Sequence, residues 1–289
     1  MFFILVFIPF LFFFDSFKLS QSLHQLCLNN LSFDSSIPEI YQALICGKRL
    51  PYSELRELFV KGGLIHLMIV SGTHLIFLER LLLKIPFLKT NFIYFFLTLY
   101  ALTSQLNPPI LRALFSFFLS KFSKKWNLFW SPISITLLSG FLCLLYRPND
   151  QDSFSLQLSV LASLLHHSFK SPLKCSFFIY LLILPLINHW QELSSLTVLI
   201  NWIIAPVISS FLFPLSFLTG FFPFLYVFSD FSWSICLKIL KFIQQLPFDK
   251  SLHNWCLPKK WIWFYIIFIW FVLFHFKSFL IRMKIKRKS

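Results

Sequence analysis

The run from Gly63 to Leu75 holds His66, Ser71, Gly72, Thr73 and His74 inside an otherwise apolar stretch. Imidazoles and hydroxyls at this density can contact phosphate or hydrogen-bond to a neighbouring helix. Such groups are costly at membrane depth and default to a bundle interior or a pathway. On one continuous helix, His66 and Thr73 would share a face, with His74 about a quarter-turn away. Two roles are open. The groups form a polar stripe facing a path, or Ser71, Gly72 and Thr73 allow close helix packing while the imidazoles bond to neighbouring carbonyls. A metal site needs three or four ligands, and only Glu79 is near, so none is expected. A Ser71–His74 hydrolase dyad is not expected either, because nothing supplies an orienting group or an oxyanion site.

Arg112 follows Pro108 and Pro109 inside a second apolar stretch. An arginine at depth needs a carboxylate, a carbonyl-rich cavity or a phosphate. Its planar fork suits bidentate phosphate contact. The alternative is a structural ion pair, with Glu79 as the candidate partner. Gln157 and Ser159 are expected to hydrogen-bond between helices. Asn201 with Pro206 suggests a broken helix whose freed carbonyls point inward. Gly72, Pro108 and Pro109 mark further breaks. Gly47-Lys48-Arg49 lacks the rest of a phosphate-binding loop, so no energy source is encoded. His166-His167 has no nearby carboxylates and does not form a nuclease-type metal cluster. No cofactor and no enzymatic activity are expected.

The elements that must position these residues are set by composition. Of 289 residues, 57% are hydrophobic and 13% charged, with mean hydropathy +0.74. Soluble domains average about 25% charged residues, so the expected class is all-α, a polytopic helical membrane protein. Broken or re-entrant helices and interfacial amphipathic helices complete the expected fold. Phe occurs 41 times. Aromatics can stack on single-stranded bases, but 19 Lys against 7 Arg, with abundant Ile, Asn and Ser, reads first as the codon bias of an AT-rich genome. Six cysteines show no CxxC spacing, which gives no zinc or redox motif. Cys27 and Cys46 could pair if their segment faces an oxidising periplasm.

Four segments follow. Residues 1–14 form an apolar anchor. Residues 15–61 are polar and expected in the periplasm, with a helix from Tyr41 to Val60 interrupted at Gly47 and Pro51, and an interfacial helix capped by Ser53. Residues 62–281 form the membrane core, and 282–289 a basic cytoplasmic tail. Spans are expected near 63–83, 90–106, 127–146, 154–169, 175–190, 196–220 and 261–281. Residues 108–120 read as a half-helix or re-entrant segment, and 224–246 as an amphipathic helix. Lys84 and Lys89, Lys121 to Lys125, and Lys170 and Lys174 fall in alternate loops, which puts those loops in the cytoplasm. The net charge of +15 is explained mostly by that bias and adds little to the case for nucleic acid.

The motifs also carry a resemblance. His66…Ser71-Gly72-Thr73-His74 resembles the G-x-x-H-L-L-A-I-S-G-L-H-V segment of the ComEC family, the inner-membrane channel of bacterial competence. Asn107 to Ala113 is similar to its P-x-x-x-R-A signature. Phe154 to Ser159 is similar to G-F-Q-L-S-F, and Asn201 to Pro206 to N-L-L-A-x-P. Ala43 to Gly47 resembles an A-L-L-L-G element upstream. The boxes are in order over about residues 41–220. Thr73 stands in place of a usual Leu, Ser155 in place of Gly and Leu156 in place of Phe. The resemblance implies a channel core alone, without the soluble nucleic-acid-binding and metallo-β-lactamase-like domains that members usually carry. It implies passage of single-stranded DNA into the cytoplasm during natural transformation, in the bacterial inner membrane. The implied partners are single-stranded DNA, the lipid bilayer, a separate motor ATPase and a DNA receptor, with a homo-oligomer left open. A small-solute transporter, a membrane scaffold and a degenerate non-transporting copy are the alternatives.

Overall fold

The computed structural model describes residues 16–31, 35–68, 71–88, 90–169, 177–179, 181–183, 197–220, 222–245 and 261–272, with single positions at 186, 258 and 275. The 1–14 anchor, the 282–289 tail, Cys175, Cys256 and most of the 175–190 span lie outside these residues. The described residues are helical, with no strand among them.

The polar N-terminal segment folds as helices. Helix α1 (Ser16–Asn30) lies on α6 (Thr90–Thr103) and on α2 (Pro38–Cys46). Two buried polar side chains pin it through three contacts: Ser20 Oγ donates to Leu102 O, and His24 Nδ1 lies 2.9 Å from both Cys46 O and Thr103 O. Only a protonated Nδ1 can serve two carbonyls, which fixes that tautomer. A Cys27–Cys46 disulfide ties α1 to α2 across 19 residues. A loop of that size is worth about 3 kcal/mol of stability. Cys27→Ser is therefore expected to lower the melting temperature of the purified protein in detergent, and equal melting of mutant and wild type would count against the bridge.

Gly47 ends α2 in the left-handed conformation, as its position in the sequence suggests. Ser53 caps the amphipathic α3 (Glu54–Lys61) by accepting from Arg56 N–H. These two boundaries follow from glycine's access to positive φ and from serine's capping oxygen.

The 63–83 stretch is not one helix. A short α4 (Ile65–Met68) is separated from α5 (Gly72–Leu83) by Ser71, whose backbone is extended (φ −129°, ψ 176°). The shared helix face expected for His66 and Thr73 therefore does not exist. Residues 108–120 also differ from expectation. They belong to an 18-residue helix, α7 (Pro108–Lys125), about 27 Å long, which is no half-helix. It is the centre of the bundle, packing on α5, α6, α8 (Pro132–Tyr146) and α9 (Phe154–Ser168). Lysines at its C-terminal end favour the helix dipole there, so the helix outlasts the apolar run.

Helices α10 (Thr197–Val207) and α11 (Phe213–Thr219) run together through a π turn at Ile208–Leu212. Pro206 thus perturbs the helix without ending it, contrary to the expected break. Ser209 Oγ donates to Ala205 O and Pro206 O within this irregular turn, the back-bonding of a serine hydroxyl to the preceding turn of its own helix. Helix α12 (Tyr226–Gln244) buries Trp233, whose indole N–H donates to Ser216 Oγ. The segment expected as an amphipathic helix is, as Pro223–Gln244, long and apolar enough to cross a membrane, as is Leu199–Thr219. Helix α13 (Ile262–Val272) is apolar and shorter.

Two hydrophobic cores result. One joins α5, α6, α7, α9 and α13. The other joins α2, α3 and α4 to the α10–α11 helix and α12. The ends of the bundle are distinct. Gly47, Leu106 and Arg147 lie at one end, where Asn107 Nδ2 donates to Gly47 O and Arg147 Nη1 to Leu106 O. Lys84 and Lys121 to Lys125 lie at the other, at the far ends of α5 and α7.

Candidate functional site

A cavity of about 2020 Å³ opens between the two cores. On α7 its wall includes Pro109, Arg112, Ala113, Ser116 and Ser120, which recur at three- and four-residue spacing and so share one face, with Pro108 and Phe117 beside them. On α9 it includes Ser155, Ser159, Ala162, Ser163 and His166, again one face, flanked by Phe154, Leu158 and His167. Each stripe runs roughly 15–20 Å along its helix. The small and hydroxyl side chains leave room and offer hydrogen bonds, while Phe117, Phe154 and Leu158 add apolar surface to the same walls.

Arg112 is the charged group of the middle stretch. It is 7% exposed. Its Nε donates to Ser159 Oγ at 2.9 Å and its Nη1 to Ser116 Oγ at 3.3 Å. Ser116 donates onward to Ser139 Oγ on α8, and Ser139 to Thr136 O. The chain of hydroxyls aims the guanidinium without neutralising it, and no carboxylate pairs with it among the described residues. Glu79, the expected partner, lies instead in the field of Lys121, Lys124 and Arg80 near the lysine end.

The start of α5 faces the same cavity. Ser71, Gly72 and Thr73 line it. Ser71 Oγ and Thr73 Oγ1 are 2.8 Å apart, and Ser71 Oγ also reaches His74 Nδ1 at 3.1 Å. His74 itself turns away. Its Nδ1 accepts from Ser71 N–H at 2.9 Å, which caps the helix start, and its ring meets Phe213 edge-on at 4.2 Å. It is 4% exposed and does not line the cavity. His66 does line it and is exposed there, with Nδ1–H donating to Gly63 O. Nε2 is then its acceptor nitrogen. The two histidines thus have different jobs, and of the two it is His66 that presents an imidazole to the space.

Asn201 lines the cavity, with its amide donating back to Thr197 O. Gly63 lets the α4 segment approach α10: a methyl group there would meet the Thr197 side chain, and φ is +68°. Gln157 is buried outside the cavity and holds the turn Pro148–Asp152 by donating to Gln151 O. Pro108 and Pro109 form the first turn of α7 after a tight corner, where Gln105 and Leu106 both adopt positive φ. The cavity mouth at that end carries both signs. Lys48, Arg49, Arg56 and Arg147 face it together with Glu54, Glu57, Asp150 and Asp152. Burial pushes the Asp150 carboxyl above its ordinary value, against the pull of Arg147.

Sequence reasoning missed Ser116, Ser120, Ser155 and Ser163. The signal was available as hydroxyl residues spaced by four in two apolar stretches.

A family model described as Competence protein matches residues 44–278. The chain belongs to the Competence protein family. Every site residue above lies within the matched span, as does Cys46 of the disulfide. No curated protein and no solved structure matches the chain. Membership assigns the chain a role in DNA uptake and, with two helices able to cross a bilayer, makes it a membrane protein.

Proposed function

We propose that this Competence protein is a multi-pass inner-membrane conduit through which single-stranded DNA enters the cytoplasm during natural transformation. The observation that carries the reading is the row of hydroxyl groups that α7 and α9 each present to one cavity, with Arg112 among them. A passing polyanion needs hydrogen-bond donors and sparse positive charge. Dense charge would trap it, and a wholly apolar wall would exclude it. The disulfide supports an outward orientation of the Gly47 end, because such bonds persist in oxidising compartments. The lysines at the opposite end of α5 and α7 support a cytoplasmic face there. The chain acts as a passage and not as an enzyme, and a separate motor ATPase and a DNA receptor work with it.

Deletion of the chain tests the reading. Transformation by linear DNA should fall to background in a clean deletion and return on complementation, while DNA binding at the cell surface persists. Wild-type transformation in the deletion strain would sink the proposal.

A further inference from the structure

We infer that Arg112 and the N-terminus of α5 form a seat for one phosphodiester oxyanion in the cavity wall. The inference takes the ligand's source, single-stranded DNA, from the proposed function. The seat itself stands on geometry.

Arg112 uses Nε and Nη1 on two serine hydroxyls. Nη2 makes no hydrogen bond to a described residue. It points to the start of α5, where a methyl group built on Gly72 would lie 3.7 Å from it and 3.0 Å from Ala113 Cβ. Gly72 is what lets the two helices come this close. Helix α5 has 12 residues. Its first N–H groups, on Gly72 and Thr73, have no acceptor among the described residues, as at any helix start. These donors and the helix dipole favour an anion. The hydroxyls of Ser71 and Thr73 stand beside them.

The protein therefore places a buried, uncompensated guanidinium against a helix start that also lacks acceptors, with open cavity beside both. Two like-signed poles placed together, with no acceptor from a described residue between them, repel. One oxyanion removes that penalty and satisfies Nη2 and the free N–H groups together. The tetrahedral anion has an oxygen for each side. A base has no comparable charge, so the seat holds backbone and ignores sequence. Phosphodiesters could then pass over it one after another, each displaced by the next.

The test uses the full chain in nanodiscs of phosphatidylcholine, with a fluorescent oligothymidylate and the same oligomer carrying uncharged methylphosphonate linkages. Wild type should prefer the charged oligomer. Arg112→Gln should cut that preference by about tenfold or more, the equivalent of one or two charge-assisted hydrogen bonds. Arg112→Lys, which keeps the charge without the fork, should fall between. Inorganic phosphate should compete for wild type and lose that effect in the Gln variant. Unchanged preference in a Gln variant that elutes and melts normally would overturn the seat. If that variant does not fold, the Lys variant and phosphate competition on wild type decide, and wild-type preference in Arg112→Lys together with no competition overturns it. If phosphatidylglycerol in the disc abolishes the Arg112-dependent preference, the seat belongs to a lipid headgroup and the inference fails. Loss of the seat with intact dependence of uptake on this chain leaves the conduit reading standing. Dispensability of the chain for uptake, with the seat intact, removes only the conduit reading.

Discussion

Arg112→Leu should reduce DNA uptake by about a hundredfold or more while the protein accumulates at wild-type level or above. The two halves of this expectation have different causes. A buried cation with no counter-ion destabilises its fold, and replacing buried charge by apolar volume is often neutral or stabilising. Leucine leaves Ser116 and Ser159 without a guanidinium donor. Neither loses its means of satisfaction, because Ser116 already donates to Ser139 and Ser159 faces the cavity. Stability is therefore expected to hold or rise. Transport is expected to fail, because the passing phosphate loses two charge-assisted contacts, each worth about 1.5–3 kcal/mol, which together make about a hundredfold or more. Uptake of labelled DNA and membrane yield, measured on the same cells, separate the roles. A structural arginine predicts the reverse pattern, with yield collapsing and uptake per molecule unchanged. Normal uptake by a stable Leu variant would refute the assignment.

The chain shows its helices more readily than its helix boundaries. Ser53, Gly47 and the Pro108-Pro109 pair act locally, through capping oxygen, left-handed backbone and fixed φ, so their effects are readable from a few residues. The break at Ser71 was also locally encoded. Ser-Gly-Thr ahead of an apolar run is an N-cap pattern, yet the continuous hydropathy of 63–83 suggests one span. Hydropathy scores burial in lipid and is indifferent to where a hydrogen-bond ladder restarts. The opposite error occurs at Lys121, Lys124 and Lys125, where charge ends an apolar run although the helix continues to residue 125. Long lysine stems reach outward from such an end. The separation of His66 from His74 could not be read, because it depends on Phe213, which reaches His74 from beyond a π turn more than a hundred residues away. Pairing of Cys27 with Cys46 needed the folding of α1 back onto α2, which spacing alone leaves open.

The largest structural effect is expected from Gly47→Ala. Gly47 has φ +75°, and a methyl group there would sit 2.9 Å from the Cα of Ser104 and 3.3 Å from its carbonyl oxygen. The left-handed conformation alone costs a non-glycine residue about 1–2 kcal/mol. The contact adds about 1–3 kcal/mol of overpacking, and it cannot be relieved by rotating a side chain, since the obstacle is backbone. Ser104 cannot retreat freely. Its hydroxyl donates to Tyr100 O, and the next two residues form the positive-φ corner that launches α7. Displacing that corner would move Pro108, and with it the register that places Arg112 against Gly72. The neighbouring Cys46 is bridged to Cys27, so the strain cannot be passed into α2 without opening the hairpin. Gly47→Ala should therefore lose about 2–5 kcal/mol, enough to deplete most small domains of their folded state. The measurement is membrane yield and melting temperature in detergent, beside Gly220→Ala as a control. At Gly220 the nearest approach would be 3.4 Å, to Phe217 O, and φ is negative. A Gly47→Ala protein that melts with wild type would show that the corner is not where the structure places it.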